Sequence, residues 1–333
     1  VTFTAHVSGV TTTPTGSIEF FDGATSLGTV SMTGDSATVT TSALTGGSHS
    51  ITATYGGNGN YNGSTSSALS QTVNKASSTT TVSTSNSSTV FGQSVTFTAH
   101  VSGVSATPTG SIQFFDGVTS LGTVSLSGDS ATKTVALFSV GSHSITATYS
   151  GDGNYNTSTS TSTTQTVNKK NTTTVVVANS DSSMYGYSVS YTASVSGSVS
   201  VHTGTVEFFD GATSLGTRNV SSDQAILLDS SLAVGTHTIT AVYSGDGNYN
   251  TSTSTGLSHV VKKSSTTSTL SSNNNPSFYG LSVKFTVKVS GKTTTPTGSV
   301  EFFDGSTSLG TSSLSGDSAL LTISSLIAAS HSI

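Results

Sequence analysis

The 333-residue chain has no cysteine and no tryptophan, 4 prolines, 2 methionines and only 8% charged residues. The lack of cysteine excludes disulfides, thiolate zinc sites, iron–sulfur clusters and thiol nucleophiles. Lys and Arg number 10 against 15 Asp and Glu, a formal net charge of -5, so there is no basic stripe and nucleic-acid binding is excluded. Apolar runs all fall short of the roughly 20 residues of a membrane helix, and no membrane insertion is expected within this stretch. Strong helix formers are scarce, which disfavours a helical or α/β fold. Gly-x-Ser-x-Gly, His-Glu-x-x-His and the phosphate-cradling Gly-x-x-x-x-Gly-Lys do not occur, so neither an enzyme nor a bound cofactor is expected.

What is abundant is Ser and Thr, together about 40% of the chain, alongside 35 Gly. Thr is β-branched and packs well on a pleated surface, so this composition favours strands and turns. The chain is also periodic. Phe20-Phe21-Asp22-Gly23 recurs as Phe114-Phe115-Asp116-Gly117, Phe208-Phe209-Asp210-Gly211 and Phe302-Phe303-Asp304-Gly305, each 94 residues on. Asn60-Tyr61-Asn62, Asn154-Tyr155-Asn156 and Asn248-Tyr249-Asn250 keep that spacing, as do His49, His143, His237 and His331. About three quarters of positions are identical between residues 1–74 and 95–168, without a gap. Such tandem duplication of a domain-sized unit divides the chain into repeats at 1–74, 75–168, 169–262 and 263–333. Val1 aligns with Val95 and Ile333 with Ile51, both inside strands, so the first repeat lacks its opening strand and the last stops before its closing one. The expectation is continuation of a longer periodic chain or self-association into a fibre.

Within the second repeat, alternation of apolar and polar residues predicts seven strands at 79–83, 94–102, 110–115, 119–125, 131–137, 143–149 and 160–167. Val95, Phe97, Ala99 and Val101 share one face, Thr96, Thr98 and His100 the other. Asp116-Gly117 reads as the two central residues of a type I′ hairpin turn. Seven short half-buried strands in about 94 residues define an all-β immunoglobulin-like sandwich. The repeats join through a few residues without Gly or Pro, so the sandwiches are expected end to end as a semi-rigid rod.

Gly110-Ser111-Ile112-Gln113-Phe114-Phe115-Asp116-Gly117, Ser120-Leu121-Gly122-Thr123, Gly141-Ser142-His143-Ser144-Ile145-Thr146-Ala147-Thr148-Tyr149 and Gly151-Asp152-Gly153-Asn154-Tyr155 resemble the group 3 bacterial Ig-like repeats of large prokaryotic surface and secreted proteins. The resemblance implies an extracellular or cell-surface β-sandwich used in tandem as a stalk, spacer, adhesin shaft or fibre, with no catalytic residues to carry over. Repeat 1 departs from it at Asn58, where the others have Asp, and repeat 3 at Val201-His202, where Thr-Pro stands elsewhere.

Several residues are weighed for chemistry. Asp152, Asn154 and Asn156, with Asp246, Asn248 and Asn250, place oxygen atoms at alternate positions like the first half of a calcium loop. The closing Glu is missing and Asn58 replaces the anion in repeat 1, so an Asx-stabilised turn is the favoured reading. Glycosylation sequons stand at Asn62, Asn86, Asn156, Asn171, Asn219 and Asn250. The four repeated histidines have no carboxylate or second histidine beside them in sequence and read as outward-facing strand residues. Glu19, Glu207 and Glu301, with Gln113 at the fourth equivalent place, read as solvent-facing. In each Phe pair one ring must enter the core and the other stay exposed or covered. Tyr61, Tyr155 and Tyr249 are the aromatics available to a glycan or cell-surface partner. The expected function is a mechanical rod, the alternatives being a glycan-binding adhesive module or a spacer attached to a secreted enzyme.

Overall fold

A computed structural model describes residues 1–9, 11–197 and 199–333. The chain divides into two compact units, Val1–Lys169 and Lys170–Ile333.

In the first unit the second repeat is the more complete. Val95–Ser102 lies between Ser130–Val135 and Thr79–Thr84 in an antiparallel three-stranded sheet. The second sheet runs Thr119–Ser125, Ser111–Asp116, Gly141–Tyr149, Thr163–Asn168 and Ser88–Val90, with Ser158–Thr159 paired to the end of Gly141–Tyr149. Alternation decides the inward faces. Val95, Phe97, Ala99 and Val101 point into the core from one sheet, Ile112, Phe114, Ile145, Ala147 and Tyr149 from the other, and all are essentially buried. Each large ring so buried contributes roughly 1.5–3 kcal/mol of transfer free energy. Phe114 lies inward and Phe115 is half-buried, as the strand geometry requires.

Two features differ from the sequence expectation. Asp116 pairs with Thr119, so the turn residues are Gly117 and Val118; only Gly117 has positive φ, at 56°. That is the pattern of a type II′ turn, with glycine first, and not of type I′ around Asp116-Gly117. The second feature is Ser88–Val90, which runs parallel to Thr163–Asn168 and holds the sheet edge. Three residues are too few to show alternation.

The first repeat pairs Thr2–His6 with Ser36–Thr40 over a second sheet centred on Ser17–Asp22 and Gly47–Tyr55. In the second unit, repeat 3 reproduces the two sheets of repeat 2: Thr173–Ala178, Val189–Ser196 and Gln224–Asp229 form one, and Thr205–Asp210, Gly235–Tyr243 and Leu257–Lys262 the centre of the other. Repeat 4 contains Thr267–Ser272, Val283–Ser290 and Ser318–Ile323 with the hairpin Ser299–Asp304/Thr307–Ser313. Among the described residues no helix is long and apolar enough to cross a membrane.

Candidate functional site

His49, His143 and His237 each stand third in a strand, Gly47–Tyr55, Gly141–Tyr149 and Gly235–Tyr243, while His331 lies outside any strand. In Gly141–Tyr149, the pairing of Ile145 with Asp116 brings His143 to the corner where Ser111–Asp116 ends. Its Nδ1 lies 2.6 Å from Asp116 Oδ2 and its Nε2 2.9 Å from the Ser139 carbonyl oxygen. The same pair forms as His49–Asp22 at 2.7 Å, His237–Asp210 at 2.7 Å and His331–Asp304 at 2.5 Å. The imidazoles are largely buried, which corrects the expectation of outward-facing rings without a carboxylate. The partner was invisible locally because it stands 27 residues away on another strand.

With an acceptor at each ring nitrogen, the imidazolium satisfies both by donating twice. For His49 and His331 the carbonyls of Thr45 and Ile327, then the carboxylates of Asp22 and Asp304, hold the pKa above the ordinary value. For His143 and His237 burial pushes it down, but the carbonyl and carboxylate acceptors outweigh that and the net shift is also upward. Neither nitrogen is left to take a proton from a substrate, so the geometry suits a structural tie and not a general base.

The Asx loop is the second repeated feature. Asp152 Oδ1 accepts from the backbone N–H groups of Asn154 and Tyr155 at 2.7 and 2.8 Å, and Oδ2 from Thr109 N and Oγ1 at 2.8 and 3.0 Å. Burial pushes this carboxyl up, yet the converging donors carry it well below the usual carboxylate range. Asp246 makes the same contacts to Asn248, Tyr249 and Thr203. In repeat 1 the amide Asn58 keeps the first pair of bonds through Oδ1 and reverses the second, donating from Nδ2 to Thr15 O and Oγ1.

Three of the other four calcium candidates turn elsewhere: Asn154 Oδ1 accepts from Gly46 N, Asn156 Nδ2 donates to Lys75 O, and Asn250 Nδ2 to Asn171 Oδ1. Among the described residues no group of three or more His, Cys, Asp or Glu side chains is arranged to hold a metal. Of the sequon residues, Asn62, Asn86, Asn156, Asn171 and Asn219 are exposed and Asn250 is half-buried.

Tyr155 and Tyr249 are corrected from exposed aromatics to core residues, at 1% and 0% exposure. The Tyr155 hydroxyl donates to Ala106 O at 2.7 Å and accepts from the N–H groups of Ser105 and Ala106. It thereby pins the 103–106 bend, where a Cβ on Gly103 would lie 2.3 Å from the Tyr155 ring. Tyr149 anchors the next segment by donating to Thr109 O at 2.6 Å. The acidic strand positions are tied as well: Ser26, Ser214 and Ser308 donate to Glu19, Glu207 and Glu301, while Gln113 reverses the bond and donates to Ser120.

Three buried polar residues have roles that local sequence did not show. Gln165, fully buried, accepts from Thr84 Oγ1 and donates to Thr89 Oγ1, holding the parallel edge strand. His259 takes its place in repeat 3 and bonds Ser183 Oγ and Ser180 O. His202 is equally buried. It bonds Asp223 through both its backbone N–H and Nδ1, while Nε2 has no partner.

Facing sheets and the His–Asp corner recur in all four repeats and the Asx-anchored loop in the first three, and residues 1–74, 81–168, 175–262 and 270–333 each match the bacterial Ig-like domain (group 3). The chain belongs to that family. Three solved structures share similarity with these bacterial Ig-like repeats. The fibronectin(III)-like modules of Clostridium thermocellum CbhA are 17% identical, covering 55% of this chain and 94% of theirs at a TM-score of 0.25. Murine CEACAM1b is 12% identical, with 55% and 99% covered and a TM-score of 0.27. The structure of a mouse coronavirus receptor-binding domain complexed with its murine receptor contributes a chain 11% identical, with 55% and 99% covered and a TM-score of 0.27. No curated protein matches the bacterial Ig-like chain.

Proposed function

We propose that these bacterial Ig-like repeats are a non-enzymatic structural segment of an extracellular or cell-surface prokaryotic protein, a filament, stalk or adhesin shaft that supplies length and stiffness. One observation carries this reading: the chemistry kept from repeat to repeat is spent inside each repeat. The histidines, the Asx carboxylates and the loop tyrosines all bond neighbouring backbone or carboxylate groups, while the outward strand positions are mainly Ser and Thr. Duplicating such a unit adds length without adding a reactive site. Small-angle scattering on chains carrying one to four appended copies of residues 75–168 tests it. The maximum dimension is expected to grow linearly with copy number, and a dimension that saturates would overturn it.

Lateral self-association is supported by a separate feature of repeat 3. Val177, Thr192 and Ile226 lie in register across one sheet, and Val175 and Leu228 flank them; the four aliphatic side chains are 50–66% exposed. Repeat 2 carries Thr81, Ser83, Thr132 and Thr134 at the equivalent places. An uncharged apolar face is self-complementary, and the partner proposed is a second copy of the chain. Sedimentation of the parent chain should show concentration-dependent association that Ile226→Thr with Leu228→Thr abolishes; two monomeric profiles would exclude it.

A further inference from the structure

The segment that enters repeat 2 does not cross open solvent as a free linker. Ala76 forms a parallel bridge with Tyr155. Its N–H donates to Asn154 O at 2.8 Å and its carbonyl accepts from Asn156 N at 2.9 Å. Ser78 Oγ donates to Asn156 O and Lys75 Nζ to Asp152 O. The segment is thus held as a short extra strand along the Asx loop. Repeat 3 ties its own entry the same way, through Lys170 N to Asn248 O and Asn250 N to Lys170 O.

In the first unit the outer side of this loop meets repeat 1. Asn154 Oδ1 accepts from Gly46 N at 3.2 Å. A Cβ on Gly46 would lie 2.5 Å from Gly153 O and 2.9 Å from Lys75 Cγ. Gly46 does not have positive φ, unlike its neighbour Gly47, so proximity and not backbone conformation calls for glycine here. The turn carrying Gly46 is itself fixed, since Thr45 O accepts from His49 Nε2 at 2.8 Å. The matching positions in the other repeats are Val140, Val234 and Ala328.

We infer that the Asx loop of repeat 2, with Lys75 laid along it, is a docking surface whose partner is the Thr45-Gly46 turn of the preceding repeat, and that Gly46 and Asn154 set the fit. The loop therefore has two faces with separate work. Asp152 and Tyr155 organise it from within, whereas Gly153 and Asn154 face the neighbouring repeat. The side chain at 46 determines how closely the two approach, and a β-branched residue there cannot enter the space that Gly153 O and Lys75 occupy. This goes beyond the structural role proposed above: the entry strand alone limits bending, so loss of the docking contact leaves that role standing.

The absence of cysteine makes the test direct. Ser31→Cys and Ser125→Cys, both at exposed strand positions, carry spin labels in the full chain, one on each repeat. Pulsed electron resonance should return one narrow distance distribution in this background. Gly46→Val and Asn154→Ala should each at least double its width or shift its centre. Asn60→Ala, the same residue type in the repeat 1 loop, should leave it unchanged. Circular dichroism melts confirm that each variant keeps its fold. A broad distribution in the parent, or one that stays narrow in folded Gly46→Val and Asn154→Ala chains, would overturn the inference.

Discussion

His143 Nδ1 stands 2.6 Å from Asp116 Oδ2, joining the first residues of one strand to the last residue of its neighbour. Because the folded pKa of these histidines is raised, their contribution is fully present below the unfolded value, about pH 6.5, and is lost as pH rises through the folded value. The urea midpoint should therefore fall as pH rises from about 6 into the alkaline range, and replacing all four histidines by Gln should flatten that fall. An equally steep profile in the fourfold variant would show that other groups carry it.

Asp152 acts in the opposite sense. Its folded pKa is depressed by the N–H and O–H donors that outweigh burial, so its contribution is present above the ordinary carboxylate range and disappears as pH falls through the folded value. Asp152→Ala orphans the donors of Thr109, Asn154 and Tyr155 and should cost about 1–3 kcal/mol. Asp152→Asn should cost less, because Asn58 already shows an amide serving this loop. Chemical denaturation of both variants ranks them, and equal losses would contradict the argument.

Tyr155 separates packing from hydrogen bonding. Tyr155→Ala removes a ring that is 1% exposed and should cost about 3–5 kcal/mol, whereas Tyr155→Phe loses only the hydroxyl bonds at about 1–2 kcal/mol. Midpoints of urea unfolding with unchanged slope would establish the order.

His202 occupies the place of the buried prolines Pro14 and Pro108 and leaves its Nε2 without a partner. His202→Pro removes that buried polar atom and restricts the unfolded chain, at the cost of the bonds to Asp223. The net gain should be about 1 kcal/mol in the unfolding of repeat 3. Calorimetry showing a lower transition would mean the Asp223 bonds outweigh both gains.

Strands such as Val95–Ser102 were legible because every second residue is apolar and buried, so period and burial report the same face. Ser88–Val90 was not, since its place at the sheet edge depends on Gln165 and Asn168, about 80 residues downstream. The histidines and the loop tyrosines fail for a related reason. Short-range pattern says that His143 begins a strand and that Tyr155 lies in a polar turn, but Asp116 and the 103–106 bend arrive only through tertiary pairing. The Asx anchor at Asp152 was the readable part of the site, because an Asp followed by Gly and Asn bonds its own next turn.

The edge strand also determines how a repeat bears load. Ser88–Val90 near its entry and Thr163–Asn168 at its exit run in the same direction, with Thr166, Val167 and Asn168 opposite Ser88, Thr89 and Val90. Pulling the two ends apart slides these strands past one another, so their hydrogen bonds are strained together in shear instead of opening one by one like a zipper. Three residues that carry almost no signal in the sequence thus lie where tension along the chain is resisted.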